Sequence, residues 1–501
     1  TDLTIFTFLN VMLFYYQYVL SHIIVSCLAE VHVRIGFNFV VQFETRRFGI
    51  NIRQFYIIMG NQHGKKEQKL PFTADQIKVL EASFRACGIH SEKLQKEKLL
   101  GYWSNIIDPH LAQCTANFIF KRIHFPISLE RYAEPYNIVE SGTIDDKVNF
   151  LALSLEQTDT NQYTIKELEH YISAVLKSYL KIESHHCTEA FESWKQHGYQ
   201  SADRTIFAFS KGLIRSICQG HDHYLNLSQL EEWLQINPTF LIIWREVFNG
   251  LYSRNSTKPL KSSCFPSPNI LPVLEGLAVG ANYTPILDIP HVIFVNSNLP
   301  NEHRNKWRFL FSSQIMGESF STMLGKILNQ GPTLLVIEDE DRYMFAGYSP
   351  ESWELKSHFF GNESSLLYTL SPAMRCFNST GYNNHYQYLN LNQQTMPNGL
   401  GIGGQFNYWG LWIDSDYGIG QSSESCTTYR DYVQLSKRKD YKIRNIEVWG
   451  IGDEPKDEDS EEGDGGVNNS ILDKNLEDKV MLQLAGKEMH SEGLREPDMD
   501  L

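Results

Sequence analysis

The hydrophobic positions between residues 71 and 250 recur mainly at steps of three and four, which is the period of amphipathic α-helices. Thr73 and Gln76 have the spacing of a capping box at the start of the first such segment, and Thr164 and Glu167 repeat that spacing further along the chain. Later helices are predicted over 204–218, 228–235 and 239–248. The range 71–250 is therefore predicted to be a helical region.

Two helix–loop–helix segments in this region have the layout of EF-hand calcium sites. The first loop, 158–169, has Thr or Gln at its first three ligand positions, and the second loop, 220–231, has only Asp222 before its terminal Glu231. Calcium binding requires several carboxylate oxygens from one loop. We therefore expect an EF-hand-like scaffold that holds no specific metal ion.

Beyond residue 290 the pattern changes to short apolar runs bounded by turn-forming residues, which is typical of β-strands. Strands are predicted over 307–312, 333–338, 343–348, 366–370, 386–391, 407–413 and 443–451, with a helix over 319–328. The range 251–289 begins with a stretch rich in Ser, Pro and Lys and is predicted to be a linker. The whole pattern predicts an α+β protein, in which a helical region precedes a β-sandwich flanked by helices.

The stretch NGLGIGGQFNYWGLWID, residues 398–414, contains the G-x-G-x-x-G spacing of dinucleotide-binding loops at Gly399, Gly401 and Gly404. Such a loop needs a strand before the glycines and a helix after them, so that the pyrophosphate meets the helix N-terminus. Here a polar loop precedes the glycines and an aromatic run typical of a strand follows them. We interpret these three glycines as structural, at a sharp turn passed closely by another backbone, and Gly410 as a bulge or close approach in the next strand. No cofactor is expected.

Candidate nucleophiles lack the surroundings that catalysis requires. Ser422, Ser423 and Cys426 follow a glycine, but they are not part of a G-x-S-x-G motif. The acidic residues from Asp339 to Asp341 follow a predicted strand, and a polar hairpin turn explains them. We therefore predict no catalytic residues and expect that the chain is not an enzyme.

Composition excludes some partners. The chain has 42% hydrophobic and 21% charged residues, which is ordinary for a globular protein, and its net charge is −14. Residues 452–501 carry 16 acidic and 5 basic side chains, so the other 451 residues carry only −3. Because no basic stripe is available to neutralise phosphates, we expect no nucleic-acid partner. The eight cysteines include no CxxC pair, which argues against zinc ribbons and thioredoxin chemistry.

The first 58 residues are apolar at their start but contain scattered polar side chains, and a short basic segment follows from Met59. We interpret 1–58 as a non-native or upstream-translated extension, while a membrane-spanning segment remains an alternative. Segment 59–70 is then a basic N-terminus in which Gly60 is a candidate for myristoylation. Gly64 stands where the usual motif has Ser or Thr, so a basic N-terminus without lipid is the other interpretation.

The C-terminal end alternates between acidic and amphipathic segments. Residues 454–469 are predicted to be an acidic linker, 470–486 an amphipathic helix and 487–501 an acidic tail. The apolar positions of the helix recur every four residues: Leu472, Leu476, Val480 and Leu484. A single short helix is marginal in water. It must dock on a partner or fold back, and we favour docking on a partner.

The order of the motifs WRFLFS, GPTLLVIED, YWGLWID and IEVWG, which begin at Trp307, Gly331, Tyr408 and Ile446, resembles that of the TLDc domain. The resemblance covers 290–453. Within this family, the motifs GYNNHY and QTMPNGLG, together with the terminal HSEGLRE, resemble the members that are associated with mTOR and lysosomes.

The resemblance implies a non-catalytic regulator or adaptor on the cytosolic face of the lysosomal membrane. Its implied partners are mTOR-pathway proteins, the lysosomal membrane surface and the soluble sector of the vacuolar proton pump (the V-ATPase). The TLDc domain and the C-terminal helix would make the contact with the pump. TLDc proteins are also associated with resistance to oxidative stress, so a calcium- or redox-responsive sensor module is the alternative.

Overall fold

The computed structural model describes residues 72–87, 95–121, 127–155, 163–217, 224–255, 269–280 and 283–455. Within these ranges a helical half precedes a half made mainly of strands, and the predicted α+β class is confirmed. The C-terminal helix predicted over 470–486 lies outside the described residues, as do the whole of 1–58 and 59–70. Among the described helices, none combines the length and the apolar composition that a membrane crossing requires.

The helical half contains ten of the described helices. They are α1 Ala74–Ala86, α2 Lys96–Trp103, α3 Pro109–Phe120, α4 Leu129–Ser141, α5 Ile144–Ser154, α6 Ile165–His186, α7 Glu189–Lys195, α8 Asp203–Ile214, α9 Leu227–Ile236 and α10 Pro238–Ser253. The predicted capping box starts α1: the Gln76 backbone N–H donates to Thr73 Oγ1 at 3.3 Å, and the Thr73 N–H donates to Gln76 Oε1 at 2.9 Å. Thr164 likewise caps α6, since its hydroxyl accepts a hydrogen bond from the Glu167 N–H.

Helix α6 is the centre of this half, and it packs against α3, α8 and α10. Its apolar face, with residues at steps of three and four, is buried: Leu168, Tyr171, Ile172, Val175 and Tyr179. The hydroxyl of Tyr171 accepts a hydrogen bond from the indole N–H of Trp244 at 3.1 Å. This bond satisfies both polar groups inside the core, where an unpaired donor would be costly.

The strand-rich half adds three helices: α11 Ile289–Asn298, α12 Ser313–Met316 and α13 Phe320–Ile327. The described strands of the chain are β1 Tyr163–Thr164, β2 Tyr224–Leu225, β3 Val273–Glu275, β4 Lys306–Ser312, β5 Thr333–Asp339, β6 Met344–Ser349, β7 Lys356–Phe360, β8 Leu366–Ser371, β9 Arg375–Asn378, β10 Gln387–Asn390, β11 Gly399–Gln405, β12 Tyr408–Asp414, β13 Ile419–Gln421 and β14 Asp440–Ile451. Every ladder is antiparallel except that of β3 with β4.

The two short strands of the helical half join its helix–loop–helix segments. Strand β1 precedes α6 and strand β2 precedes α9, and the two pair through Tyr163 with Leu225 and Thr164 with Tyr224. The segments α5–α6 and α8–α9 are therefore connected side by side.

The remaining strands form two stacked layers. The first layer has the order β3-β4-β14-β5-β6-β8-β9, and the second has the order β7-β10-β11-β12-β13. The long strand β14 joins them, because Asp440–Lys442 pair with β13 while Ile443–Gly450 pair with β5. Side chains from both layers meet in one core: Phe311, Leu335, Ile337, Phe345 and Leu367 from the first, and Leu400, Ile402, Leu411 and Ile413 from the second. The predicted β-sandwich is confirmed.

The opposite face of the first layer packs against helices. Trp307, Val336, Tyr348 and Trp449 point out of the sandwich and belong to the same hydrophobic core as the helical half. Helix α7 contacts β3, and α11 contacts α8. The described chain is thus built as a helical layer, a sheet and a second sheet, and the first sheet is buried on both faces.

Some segments differ from the pattern read from the sequence. In the range 251–289, α10 continues to Ser253 and Val273–Glu275 form β3 beside β4, with Leu274 buried. The glycine segment that was predicted as a sharp turn is instead strand β11, which pairs with β12 in a two-residue hairpin. Strands β7, β9 and β13 were also missed, since they are short and lack an apolar run.

Candidate functional site

The residues predicted from sequence to carry function fall into two groups. Gly60 and the partner-binding positions Leu472, Leu476, Val480 and Leu484 lie outside the described residues. The four glycines lie in the second layer of the sandwich, on β11 and β12.

Each of these glycines lies where a side chain would collide with its surroundings. A Cβ at Gly399 would lie 2.3 Å from Ile413 O, and one at Gly401 would lie 2.5 Å from Trp409 Cζ3. A Cβ at Gly404 would lie 2.1 Å from Tyr408 O, and one at Gly410 would lie 2.8 Å from Ile402 O. Gly404 also has a φ of +88°, a conformation that side chains disfavour. Because these glycines lie in a hairpin and not between a strand and a helix, the segment does not have the geometry of a dinucleotide-binding loop.

Aromatic rings cover this glycine strand on the outer face of the sandwich. Trp409 and Trp412 stack with their centroids 4.3 Å apart, and Tyr388 lies beside them on β10. All three are buried, with Phe359 and Phe406 packed at the edge of the group. The rings occupy the space that glycine leaves open, so this aromatic group is a small core separate from the two larger ones.

The junction between the helical half and the sandwich is built around three tryptophans. Trp194 of α7 lies 5.7 Å from Trp307 of β4 and 5.5 Å from Trp449 of β14, measured between ring centroids. The Trp194 indole N–H donates to Pro272 O at 2.6 Å, so its polar group is satisfied at the junction. The helices and the sheet therefore share a core and do not merely touch at their surfaces.

A buried carboxyl lies in the same junction. Glu447, in the middle of β14, has 0% exposure. It accepts hydrogen bonds from the Tyr283 hydroxyl and, through Oε1, from the Ile286 N–H at 3.0 Å. The Tyr283 hydroxyl also lies 3.0 Å from the hydroxyl of Tyr199, which belongs to the helical half. Burial raises the pKa of the Glu447 carboxyl to about 7, and the bonds from Tyr283 and Ile286 offset part of the rise.

The helix–loop–helix segments offer few described ligands. Glu169, the last position of the first loop, is buried, and that burial raises its pKa. In the described parts of the chain, no three His, Cys, Asp or Glu side chains gather where they could hold a metal ion.

Three of the described thiols in the core are held in their protonated form. Burial raises the pKa of Cys87 to about 11 and that of Cys376 to about 12, and it also raises the pKa of Cys426. A thiol with a raised pKa is a poor nucleophile, because the thiolate is the reactive species. This chemistry fits packing roles for these three side chains.

Comparison with known proteins gives the family. A model of the TLDc domain matches residues 281–452. "MTOR-associated protein MEAK7" of Danio rerio is 44% identical over 361 residues, which cover 72% of this chain and 77% of the relative. The protein of that name from Gallus gallus is 35% identical over 376 residues, which cover 72% of this chain and 76% of the relative. The chain belongs to the MEAK7 family of TLDc-domain proteins.

A more distant match supports the position of the domain. "Nuclear receptor coactivator 7" of Mus musculus is 32% identical over 177 residues, which cover 35% of this TLDc protein and 18% of the relative. The matched share of this MEAK7-family chain is thus about the size of the TLDc domain. The MEAK7 relatives from Danio rerio and Gallus gallus match over about twice that length.

Sequence reasoning missed the junction residues of this TLDc protein. Glu447 stands alone as a charged residue in the apolar run IEVWGI, and that contrast is the one local signal available. Tyr283 is 164 positions from Glu447 and 84 from Tyr199. No spacing rule connects residues at such separations, so only the folded MEAK7-family chain brings them together.

Proposed function

We propose that this chain is a non-catalytic regulator or adaptor in mTOR signalling. The observation that carries the proposal is its similarity to relatives named "MTOR-associated protein", which extends beyond the TLDc domain over 72% of the chain. We further propose that the chain acts on the cytosolic face of the lysosomal membrane and binds the soluble sector of the vacuolar proton pump. This finer part rests on the resemblance of the sequence motifs to TLDc proteins of that branch.

The continuous core supports an adaptor. The helical half and the strand-rich half share the cluster of Trp194, Trp307 and Trp449. Together they therefore offer a partner one surface of fixed shape. A surface of fixed shape loses less conformational entropy on binding than domains joined by a flexible segment. The raised pKa values of the buried thiols are consistent with a role in binding and not in thiol chemistry.

The C-terminal segment is the second part of the proposed contact. Leu472, Leu476, Val480 and Leu484 would form the apolar face of a helix that docks in a groove of the pump. The acidic linker 454–469 would allow the helix and the TLDc domain to bind at separate places, which raises the effective concentration of the second contact. A lipid on Gly60, assisted by Lys65, Lys66 and Lys69, would hold the chain at the lysosomal membrane.

A calcium- or redox-responsive sensor in oxidative-stress resistance is the second candidate. The antiparallel ladder between β1 and β2 favours it, because it joins two helix–loop–helix segments as sensor modules do. The scarcity of acidic side chains in both loops opposes calcium as the signal.

The test is a pull-down of the full chain against the purified soluble sector of the pump and, separately, against purified mTOR complex. A second chain lacking 471–501 is compared with the first at equal concentration. Reduced pump binding on truncation would support the two-part contact, and unchanged binding would assign the contact to the TLDc domain. If neither chain binds the pump, the pump proposal is wrong; if neither binds mTOR complex, direct binding to mTOR is wrong as well.

A further inference from the structure

Residues 283–286 form a short segment, here called the strap, which lies over Glu447 and connects the two halves. On the helical side, the Tyr283 hydroxyl contacts that of Tyr199 at 3.0 Å. On the sheet side, the Gln314 side chain binds the Thr284 backbone, through bonds of 3.2 Å to its N–H and 2.9 Å to its carbonyl. The strap residues are exposed or half-buried, whereas Glu447 beneath them is fully buried.

Both hydrogen bonds to Glu447 come from this strap. Tyr283 donates through its hydroxyl and Ile286 through its backbone N–H. The other carboxylate oxygen, Oε2, has no hydrogen-bond partner in the described part of the chain. The Trp449 indole N–H lies near enough to favour the ionised carboxyl, but it does not reach normal hydrogen-bond geometry. Opening of the strap would remove two bonds and expose Oε2 to water.

The charges around Glu447 do not compensate an ionised carboxylate. Its neighbours in the sheet are Ser312 of β4 and Val336 of β5, which are uncharged. Within the sheet, Glu338 disfavours the ionised form of Glu447, and Glu338 is itself paired with Arg342 and Arg444. From the strap and the helical half, the groups that face the carboxyl are the hydroxyls of Tyr283 and Tyr199. Burial raises both of their pKa values, so both stay neutral near pH 7.

We propose that the strap is a proton-sensitive latch, which closes over Glu447 when this carboxyl is protonated and opens more readily when it is ionised. An ionised carboxylate without a cation is costly to bury, and opening gives it water as a hydrogen-bonding partner. Acidification would thus tighten the connection between the helical half and the TLDc domain.

The direction and the pH window follow from proton linkage. The pKa of Glu447 is about 7 in the closed state and returns towards its ordinary value of 4.5 once the carboxyl is hydrated. Because the closed state binds more protons between these two values, rising pH favours opening by about tenfold per pH unit in that window. Above pH 7 the carboxyl is ionised in both states, and the opening equilibrium becomes flat.

Another titratable group, His291, lies beyond the strap in α11. It is buried, and its Nδ1 accepts a hydrogen bond from the Asp288 N–H at 3.0 Å. Opening confined to 283–286 leaves this bond intact. The titration of His291 therefore does not enter the local equilibrium.

The test is hydrogen exchange, measured by mass spectrometry on the full chain between pH 5.5 and 8, in a peptide that contains the Ile286 amide. Glu447→Gln is the matched variant, because its amide oxygen still accepts bonds from Tyr283 and Ile286 but cannot ionise. Dividing the wild-type exchange rate by that of the variant at each pH removes the intrinsic pH dependence of exchange. We expect this ratio to rise about tenfold per unit up to pH 7 and then to level off.

A peptide from α10, Pro238–Ser253, is the internal control, and its ratio should not change with pH. A constant ratio in the strap peptide would overturn the proposal. If Glu447→Gln does not fold, Tyr283→Phe serves instead, and the exchange rate of the strap peptide is then divided by that of the α10 peptide in each protein. Removing the Tyr283 hydroxyl raises the pKa of Glu447 in the closed state, so the exchange of the strap must level off at a higher pH than in wild type. An unchanged pH profile would overturn the latch.

Discussion

The indole rings of Trp194 and Trp307 pack edge to face across the junction of α7 and β4, with their centroids 5.7 Å apart and an angle of 79° between their planes. Both side chains have 0% exposure. One belongs to the helical half and the other to the TLDc domain. A pair of large aromatic residues buried in this way contributes both apolar area and ring geometry to the stability of the whole unit.

We expect Trp194→Ala to destabilise the two halves together. Removal of a fully buried tryptophan leaves a cavity that the junction cannot fill, at a cost of about 3–5 kcal/mol. Urea unfolding followed by far-ultraviolet circular dichroism and by tryptophan fluorescence should show one coincident transition at lower urea. Phe207→Ala, at a side chain that is 39% exposed, should change the midpoint far less. Two separate transitions in the wild type would contradict a shared core.

Gly401→Ala should destabilise the sandwich through the aromatic group. The new Cβ would lie 2.5 Å from Cζ3 of Trp409 and 3.1 Å from Cε3 of Trp412, so the stacked rings must move. Overpacking of this kind costs about 1–3 kcal/mol. The measurement is the free energy of unfolding of the full chain in urea.

Gly101→Ala is the matched control for that substitution. Gly101 lies inside α2, and a Cβ there meets no atom within 4 Å. Alanine lowers the entropy of the unfolded chain and favours the helix, so the control should be stabilised by up to about 1 kcal/mol. Equal effects at both positions would show that the rings over β11 tolerate the extra methyl group.

The features of the fold that the sequence predicts are those that residues close together in the chain determine. The capping box of Thr73 and the buried face of α6 were predictable, since residues within four positions of each other determine them. Strand β11 was not predictable, because glycine carries no apolar signal of its own. The rings that cover this strand come from β10 and β12. Glu447 acquired its bonds from residues more than 150 positions away. Such long-range partners leave no period in the sequence.

The buried side chains of His291 and Glu447 should affect the free energy of unfolding in opposite ways as the pH changes. Burial lowers the pKa of His291 to about 4, so its neutral form stabilises the fold above the ordinary pKa of 6.5, and this stability is lost as pH falls towards 4. Glu447, with its raised pKa, contributes stability that is complete below pH 4.5 and is lost as pH rises to about 7. Between pH 4.5 and 6.5 the two contributions to the slope nearly cancel.

Single variants should separate these contributions. Glu447→Gln removes the contribution of Glu447 and leaves the contribution of His291. Between pH 4.5 and 6.5, the unfolding free energy of this variant should therefore fall by about 1.4 kcal/mol for each unit of acidification, relative to wild type. His291→Asn, which keeps an acceptor for the Asp288 N–H, should change the slope by the same amount in the other direction. Urea titrations at pH 5, 5.5, 6 and 6.5 measure both slopes. Parallel profiles for all three proteins would refute the assignment.

Calcium should not bind specifically to the helix–loop–helix segments. The loops contain few carboxylates, and Glu169 at the end of the first is buried with a raised pKa, which disfavours the ionised form that a metal requires. Isothermal titration with calcium should give only the heat of dilution, and a functional EF-hand protein in the same buffer provides the positive control. A saturable heat would instead support the sensor function.

The segment 470–486 allows docking on a partner to be distinguished from packing on the chain itself. Leu476→Asp with Leu484→Asp places two charges on the apolar side of the predicted helix, and both interactions would be lost because neither tolerates a buried unpaired carboxylate. If the helix binds a partner, pump binding should fall by more than tenfold while the melting temperature of the free chain stays within about 1 °C. Lys474→Asp alone changes the charge of the segment by the same two units as the Leu476 and Leu484 substitutions, and it therefore controls for added negative charge. A large fall in melting temperature with unchanged pump binding would mean that the helix packs against its own chain, because the free protein contains the lost contact only in that case.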